Sequence, residues 1–473
     1  MREPVRAAII AVVLLSLAVA VGLVTYMERP QPKQGLAHLR IAYAMALPGS
    51  PTVPHESMVH EVVSAFRAWY KERYGADVVV SISYEDTASV LKRLSGGRPP
   101  FDIWWGGTLE AFQAKREFLL PFNSSAKEEL LSLVPNATCH NCPIMDLNGT
   151  TPTWYAWCFY APCLLYDPEV LPNPPRSWPE LTNTRLENKV IAPDPKSDPF
   201  SHGVAIAIYA SEAWRLGNEN LGWASAWNTS TLIWALSASL ASEPYLDALQ
   251  LVAGKAWAML CPDVVAYHMI LEAGYTGLRV AYLNGTLLFP CPVAVLRGSE
   301  NEEAAKAFVD FLLFKEGQAI VAKHLMPVRP DVPTREPVAN PYSPDFPAVG
   351  AFNRTFLELA AGFVNDYLVC WLVKVYDGSG KSDTLKTAWW WVKKANATAG
   401  ANEEAKRYYK MALSNLTLMA KHVKRGDFDK IYRETNGWSK KEDYLSAWAN
   451  AAREAYANAV ENAKKSVEAA SGS

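Results

Sequence analysis

Apolar and polar positions follow two different periods in the N-terminal part of the chain. Leu39–Ala46, Asp77–Tyr84 and Phe101–Trp105 alternate as strands do. Glu56–Tyr74 instead repeats apolar residues at the spacing of one helix face, and Thr87–Leu94 continues as a second helix. Strands that alternate with helices predict an α/β fold built on a parallel sheet with helices on both faces.

Small or polar residues follow each of these predicted strands. They are Ser50 after the first strand, Tyr84 at the end of the second, and Gly106, Gly107 and Thr108 after the third. The carboxyl ends of parallel strands meet at one edge of the sheet, where ligands bind in open α/β folds. The two glycines before a helix N-cap would also expose backbone N–H groups to an anion or a polar ligand. A plain strand-to-helix turn explains the glycines equally well.

The N-terminus carries an apolar run, Ala7–Val24, which follows two arginines. Its length predicts that residues 1–28 form a single-pass membrane anchor, with a signal peptide as the alternative. Residues 29–38 contain two prolines and predict a stiff linker. The main body is therefore expected outside the cell, attached to the cell membrane.

Two further features fit an extracellular location. The chain has eight Asn-x-Ser/Thr sequons, which predict N-glycosylation at Asn123, Asn136, Asn148, Asn228, Asn284, Asn353, Asn396 and Asn415. Its seven cysteines fit an oxidising compartment. The net charge of −2, without a basic cluster, argues against a nucleic-acid partner.

The cysteines suggest disulfides rather than a metal site. The candidate pairs are Cys139/Cys142, Cys158/Cys163 and Cys261/Cys291, with Cys370 left over, although sequence does not fix connectivity. Cys139-His140-Asn141-Cys142 resembles half of a zinc site, but no second pair stands at zinc-finger spacing. We predict no metal ligands and no cofactor.

Candidate ligand contacts continue beyond the first strands. Ser197 and Ser201 stand at the start of a predicted helix, where hydroxyl and N–H groups bind anions, although an ordinary helix cap needs the same residues. Trp157 and Phe159 lie on a predicted strand, and one or two aromatic rings there could stack on a ligand while the others enter the core. Asp263 is either a ligand carboxylate or the N-cap of the helix Val264–Glu272.

Several segments occur in the order found in one known family. They are Phe66–Val80, Phe101–Gly107, Trp154–Ala156 with Leu164–Asp167, Pro175–Leu181 around Trp178, Asp194–Ser197, Ala305–Gln318 and Pro327–Pro330. Through these segments the chain resembles the extracellular solute-binding proteins of ABC importers, with the type II periplasmic-binding fold. Within that fold it is most similar to the family 1 and iron(III)-binding-like groups.

The resemblance implies two α/β domains that close around a solute. The first would comprise residues 39–150 and 263–335, and the second residues 151–262. Trp178 is expected to be a core anchor. The implied partners are a small solute and an ABC permease in the membrane.

The C-terminal part has a different pattern. The proline-rich segment Arg335–Pro347 marks a boundary, and helical periodicity follows it. The predicted helices are Phe352–Val375, Asp383–Ala397, Glu403–Lys424 and Lys440–Ala470. Residues 336–473 are therefore predicted to form a helical extension that packs on the α/β domains.

Three functions remain open from the sequence. The leading interpretation is a membrane-anchored solute-binding protein that performs no chemistry. A structural or adhesive surface glycoprotein on the same fold is the alternative, and a carbohydrate-acting enzyme is the weakest, since no catalytic motif stands out. The solute itself is an oxyanion, a metal–anion complex or a sugar.

Overall fold

The structure is a computed structural model that describes residues 36–46, 54–96, 100–196, 201–349, 363–373, 384–427, 430–431, 434–435 and 440–471. The predicted anchor at residues 1–28, Ser50 and Ser197 lie outside these residues, as does the side chain of Ser201. Within them, no helix is both long enough and apolar enough to span a bilayer.

The first of two main sheets has six strands. From edge to edge they are β13 (Met326–Pro327), β6 (Tyr155–Tyr160), β12 (Phe289–Val295), β3 (Ile103–Trp105), β1 (Ala37–Ala46) and β2 (Val78–Asp86). The three predicted N-terminal strands are confirmed, and β1 pairs in parallel with β2 and β3. The prediction of a parallel sheet is wrong for the other half, where β12 is antiparallel to β3 and β6. The reason is that β6 runs towards the second sheet and β12 returns from it.

Helices cover this sheet. They are α1 (Glu56–Tyr74), α2 (Thr87–Ser95), α3 (Leu109–Ala114), α4 (Lys127–Leu133), α10 (Glu302–Leu313) and α11 (Lys315–Val321). The predicted apolar face of α1 is buried, and Phe66 packs edge-on against Phe308 of α10, with ring centroids 5.0 Å apart. We call this sheet and its helices the first lobe.

The second sheet has five strands. From edge to edge they are β11 (Arg279–Ala281), β7 (Pro162–Tyr166), β10 (Ala258–Pro262), β8 (Val190–Pro193) and β9 (Leu240–Ala241). Its helices are α5 (Ser201–Leu216), α6 (Glu219–Leu236), α7 (Pro244–Asp247), α8 (Leu249–Val252) and α9 (Asp263–Tyr267), which continues as a wider helical turn over His268–Glu272. We call this sheet and these helices the second lobe. A separate small hairpin is formed by β4 (Thr138–Cys139) and β5 (Cys142–Pro143).

Two packing details explain how the second lobe is held together. Trp178 is fully buried, so its predicted place in the core is confirmed. Gly222 of α6 touches α5 so closely that an added Cβ would lie 2.3 Å from the Cα of Ala213. Only glycine permits this approach, because no real side chain tolerates such a contact.

The chain crosses between the lobes at two points within its described residues. The first crossing is Ala161, between β6 and β7, and the second is the segment 282–288, between β11 and β12. These points differ from the predicted domain boundaries after residues 150 and 262. The sheets place β6 in the first lobe and β11 in the second, because each strand pairs before the chain crosses.

The helical extension packs on the second lobe. Its helical elements are residues 363–373, α12 (Thr384–Thr398), α13 (Glu403–Leu416), α14 (Met419–His422) and α15 (Glu442–Ser471), in agreement with the predicted pattern. Trp223 of α6 donates its indole N–H to the carbonyl of Val423 over 2.7 Å. Within the extension, Tyr456 donates its hydroxyl to the carbonyl of Trp371 over 3.0 Å.

The sequons differ in their exposure. Those with exposed asparagines are Asn123, Asn136, Asn148, Asn284 and Asn396. Asn228 and Asn415 are half-buried, and Asn353 lies outside the described residues. N-glycosylation stays a prediction.

The strand register sets the cysteines opposite partners that differ from two of the three predicted pairs. All seven are buried free thiols in the structure. Strand register sets three couples opposite each other, namely Cys139 with Cys142, Cys163 with Cys261, and Cys158 with Cys291. The predicted pairs Cys158/Cys163 and Cys261/Cys291 are wrong, because the members of each lie in different sheets.

We expect these three couples to form disulfides when the protein matures in an oxidising compartment. Residues opposite each other on antiparallel strands have Cα atoms about 4.5–5.5 Å apart, within the roughly 4.4–6.8 Å that disulfides span. Mass spectrometry of peptides from the unreduced protein should join Cys158 to Cys291 and Cys163 to Cys261. A Cys370→Ser variant should give the same map. Peptides that join Cys158 to Cys163 would contradict the observed register.

Candidate functional site

The two lobes meet at a buried carboxylate, Asp263. The backbone N–H of Ala161, at the first crossing, donates to Oδ1 of Asp263 over 3.1 Å. In return, the N–H of Asp263 donates to the carbonyl of Ala161 over 3.0 Å. This reciprocal pair fixes the first crossing to the start of helix α9.

The same carboxylate holds the second crossing. Tyr282, just after β11, donates its hydroxyl to Oδ2 of Asp263 over 2.8 Å. Tyr282 also shares a short hydroxyl–hydroxyl hydrogen bond with Tyr267, which accepts from the N–H of Ala339 over 3.0 Å. Burial raises the pKa of Asp263 to about 7, although its hydrogen bonds act in the opposite direction.

The structure gives Asp263 a structural role that neither sequence alternative named. Its side chain is fully buried, and both carboxylate oxygens accept hydrogen bonds from the protein itself. The N-cap of α9 is Pro262, so the predicted capping role is wrong by one position. Asp263 therefore connects the crossings in this structure.

A cluster of three histidines and one glutamate lies beside this junction. We call His55, His268, Glu272 and His324 the histidine cluster. His55 precedes α1 and His324 follows α11, both in the first lobe, whereas His268 and Glu272 continue α9 of the second lobe. The Glu272 carboxylate is central, with the Nδ1 atoms of His55, His268 and His324 at 3.8, 3.5 and 3.4 Å from its oxygens.

His55 is held in one orientation. Its ring Nε2 lies 2.9 Å from the carbonyl of Val264, so Nε2 carries the proton and donates it. Nδ1 is buried without a hydrogen-bond partner. Burial foremost lowers the pKa of His55 to about 4, which leaves the ring neutral near pH ~7.

The glutamate is surrounded by donors. Ser57 donates its hydroxyl to Oε1 of Glu272 over 2.7 Å. Burial acts to raise the pKa of Glu272, but the surrounding histidines and Ser57 outweigh it and hold that pKa well below its ordinary value. The side chains of His268, Glu272 and His324 are 12–15% exposed, so the cluster borders solvent on one side.

The predicted strand-end residues do come close together, since β3, β1 and β2 are neighbours in the sheet. Gly106 and Gly107 have φ values of 92° and 110°, which favour glycine. Thr108 caps α3 by accepting from the N–H of Ala111 over 3.4 Å, and its predicted N-cap role is confirmed. Tyr84 is half-buried at the end of β2.

The predicted aromatic contacts lie in the core. Trp157 and Phe159 are fully buried in the first lobe. The ring of Trp157 packs edge-on against Trp105 at 5.2 Å between centroids, and Phe159 lies 6.4 Å from Tyr342. Neither ring presents a free face to a solute in this structure.

The histidine cluster was missed by sequence reasoning. His268 and Glu272 are four positions apart, which places them on one helix face and is a local signal for a shared site. His55 and His324 are far from them in sequence and give no such signal. Only the tertiary fold brings the four side chains together.

Comparison with known proteins agrees with the resemblance inferred from the sequence. Residues 122–348, which are just under half of the chain, match the profile of a family described as bacterial extracellular solute-binding protein. These residues are thus similar to solute-binding proteins of that type. A search among curated proteins finds no match.

Solved structures show the same fold at low sequence identity. The ferric binding protein from Campylobacter jejuni is 19% identical, with a TM-score of 0.51, and the match covers 69% of this chain and 98% of that one. The Trichodesmium protein IdiA (FutA), in complex with iron and citrate ligands, is 14% identical with a TM-score of 0.52, covering 70% and 98%. The apo ferric ion-binding protein A from Pasteurella haemolytica is 12% identical with a TM-score of 0.52, covering 70% and 96%. These proteins are matched over nearly their whole length, whereas part of this chain has no counterpart in them.

Replacing Asp263 should change how stability depends on pH. In the unfolded chain the carboxyl loses its proton near pH ~4, but in the folded protein only near pH 7. The folded state therefore binds more protons than the unfolded chain between these values. The contribution of Asp263 to the free energy of unfolding is fully present below pH ~4 and is lost as the pH rises to about 7. From pH ~4 to about 7, the free energy of unfolding of the wild type in urea should therefore fall relative to that of Asp263→Asn, by up to about 4 kcal/mol.

The matched control is the exposed Asp345, whose replacement by asparagine should leave the wild-type pH profile unchanged. Parallel stability profiles for the wild type and Asp263→Asn would contradict the assigned burial of this carboxylate.

Proposed function

We propose that this chain, whose residues 122–348 are similar to bacterial extracellular solute-binding proteins, binds a small solute between its lobes and delivers it to an ABC importer. The observation that carries the proposal is the histidine cluster, since both lobes contribute to it and it lies beside their crossings. A solute at this position would be contacted from both lobes at once.

Closure of the lobes would bury the solute. The crossings at Ala161 and at residues 282–288 are short, and Asp263 ties both of them to the start of α9. Rotation about such short crossings moves the lobes as rigid bodies. Because α9 leads from Asp263 directly to His268 and Glu272, a movement at the crossings would shift these two side chains relative to His55 and His324.

The relatives and the sequence together define which solutes to test. The Campylobacter relative is a ferric binding protein, and the Trichodesmium relative holds iron and citrate. These ligands support a metal ion, alone or with an anion, as one candidate. Oxyanions and sugars remain candidates through the strand-end residues Tyr84, Gly106, Gly107 and Thr108, and through Ser50, Ser197 and Ser201.

The proposal also covers location and activity. The apolar run at residues 7–24 would anchor the chain in the cell membrane, with the lobes outside and within reach of the permease. Binding and release complete the cycle, and the protein would act on its solute without chemical change.

A structural or adhesive surface protein is the second candidate. The helical extension favours it, because the solved relatives are covered almost completely while part of this chain has no counterpart in them. Such a protein needs no solute. Solute binding therefore separates the two candidates.

Thermal unfolding of the purified full chain, after dialysis against a chelator, tests the proposal. The panel is zinc(II), manganese(II), iron(III) citrate, phosphate, sulfate, glucose and maltose. A solute at 100 times its dissociation constant stabilises the native state by about 2.7 kcal/mol, so one class should raise the midpoint by several degrees. Calcium chloride serves as the ionic-strength control. If the whole panel leaves the midpoint unchanged, the structural candidate is favoured.

A further inference from the structure

We propose that the histidine cluster binds one divalent first-row transition-metal ion, with zinc(II) the best match to its donors. The inference rests on the proposed function and names its solute, an ion bound between the lobes. Its ligands would be His55 and His268 through imidazole nitrogen and Glu272 through carboxylate oxygen, with His324 as the fourth.

The spacing of the donors fits one ion. Donor atoms of His55, His268 and Glu272 all lie within 4.8 Å of one another. Two ligands that bind zinc at about 2.1 Å lie at most about 4.2 Å apart, and about 3.4 Å apart in a tetrahedral site. The distances of 3.5 and 3.4 Å from Glu272 to His268 and His324 already match that edge. Separations of up to 4.8 Å among His55, His268 and Glu272 would shorten by at most about 1.4 Å to reach that edge.

The tautomer of His55 points a lone pair into the cluster. Its Nε2–H donates to the Val264 carbonyl, which leaves Nδ1 as the acceptor. Metal-binding histidines commonly donate their other ring N–H to a backbone carbonyl in this way, which fixes the ring for the metal. This buried nitrogen has no hydrogen-bond partner. Such an atom lowers the stability of a protein unless a hydrogen-bond donor or a metal ion satisfies its lone pair.

His324 presents a second buried ring nitrogen to the Glu272 carboxylate. Its Nδ1 is also buried without a hydrogen bond of good geometry, although Glu272 Oε1 is 3.4 Å away. The outer Nε2 lies 4.0 Å from Glu61, which in turn contacts Lys323. The Nδ1 of His55 lies 3.8 Å from the same carboxylate and carries no proton to donate, so an ion-pair network does not explain it.

The donor set selects the class of metal. Calcium and magnesium prefer sites built from oxygen, whereas imidazole nitrogen suits zinc, copper, nickel and iron. One carboxylate among three imidazoles gives a nitrogen-rich site of low charge. Zinc accepts four such ligands in tetrahedral geometry without a redox step.

The position of the site explains how binding would be coupled to closure. His55 and His324 belong to the first lobe, and His268 and Glu272 belong to the second. An ion with ligands from both lobes stabilises the closed arrangement, because opening breaks metal bonds on one side. The limited exposure of the cluster means that the ion would enter while the lobes are apart.

Isothermal titration of the chelator-treated full chain with zinc chloride tests the inference. We expect one ion per chain, and at least about 100-fold weaker binding for His268→Gln and for Glu272→Gln, since even outer-shell changes cost 10–100-fold. His60→Gln is the matched control, because His60 stands on α1 near His55 but is 72% exposed. The control should bind zinc like the wild type. Thermal midpoints measured without metal check that each variant is folded.

Cobalt(II) provides a second readout, since its visible absorption reports the bound geometry. Tetrahedral absorption that is lost in folded Glu272→Gln would support the site. Wild-type binding that survives both variants would overturn it, as would failure of the wild type to bind zinc or cobalt. If the metals fail while an oxyanion or a sugar stabilises the chain, the inference falls and the proposed solute-binding function stands.

Discussion

One buried carboxylate joins the two segments that connect the lobes. Asp263 exchanges two hydrogen bonds with Ala161, at the first crossing, and accepts a third from Tyr282, at the second. A buried carboxylate is costly unless its oxygens are satisfied, and here they are satisfied by the crossing segments themselves. The two crossings are therefore tied together by the hydrogen bonds of a single residue.

This constraint also places the candidate site. Helix α9 begins at Asp263 and leads to His268 and Glu272, while the carbonyl of Val264 fixes the ring of His55. The junction and the histidine cluster thus share one short helix. A movement of the backbone at the crossings would therefore shift His268 and Glu272 through that helix, which would couple lobe movement to the geometry of the cluster.

Local patterns in the sequence were enough for much of the fold. The strands β1 and β2, the buried face of α1, the buried Trp178 and the helices of the extension follow from periodicity and short motifs. The antiparallel half of the first sheet and the cysteine partners did not follow, because strand register is decided by distant segments. Sequence placed Trp157 and Phe159 on a strand but did not show that both rings are fully buried.

The candidate site was harder to infer for the same reason. His55 and His324 come from opposite ends of the α/β region, and only the packing of α1, α9 and α11 unites them with Glu272. Asp263 was noticed from its place after a strand, yet its hydrogen bonds to both crossings depend on the assembled lobes. Sequence position can indicate that a residue has a specific role, but the tertiary contacts show what that role is.

Anomalous X-ray diffraction at the zinc absorption edge, from crystals of the full chain grown with zinc chloride, tests the central claim most directly. We expect the strongest peak to lie between α1 and α9, within bonding distance of His55, His268 and Glu272, so that both lobes ligate one ion. A strongest peak elsewhere, or one with ligands from a single lobe, would contradict the claim that the lobes bind their solute together.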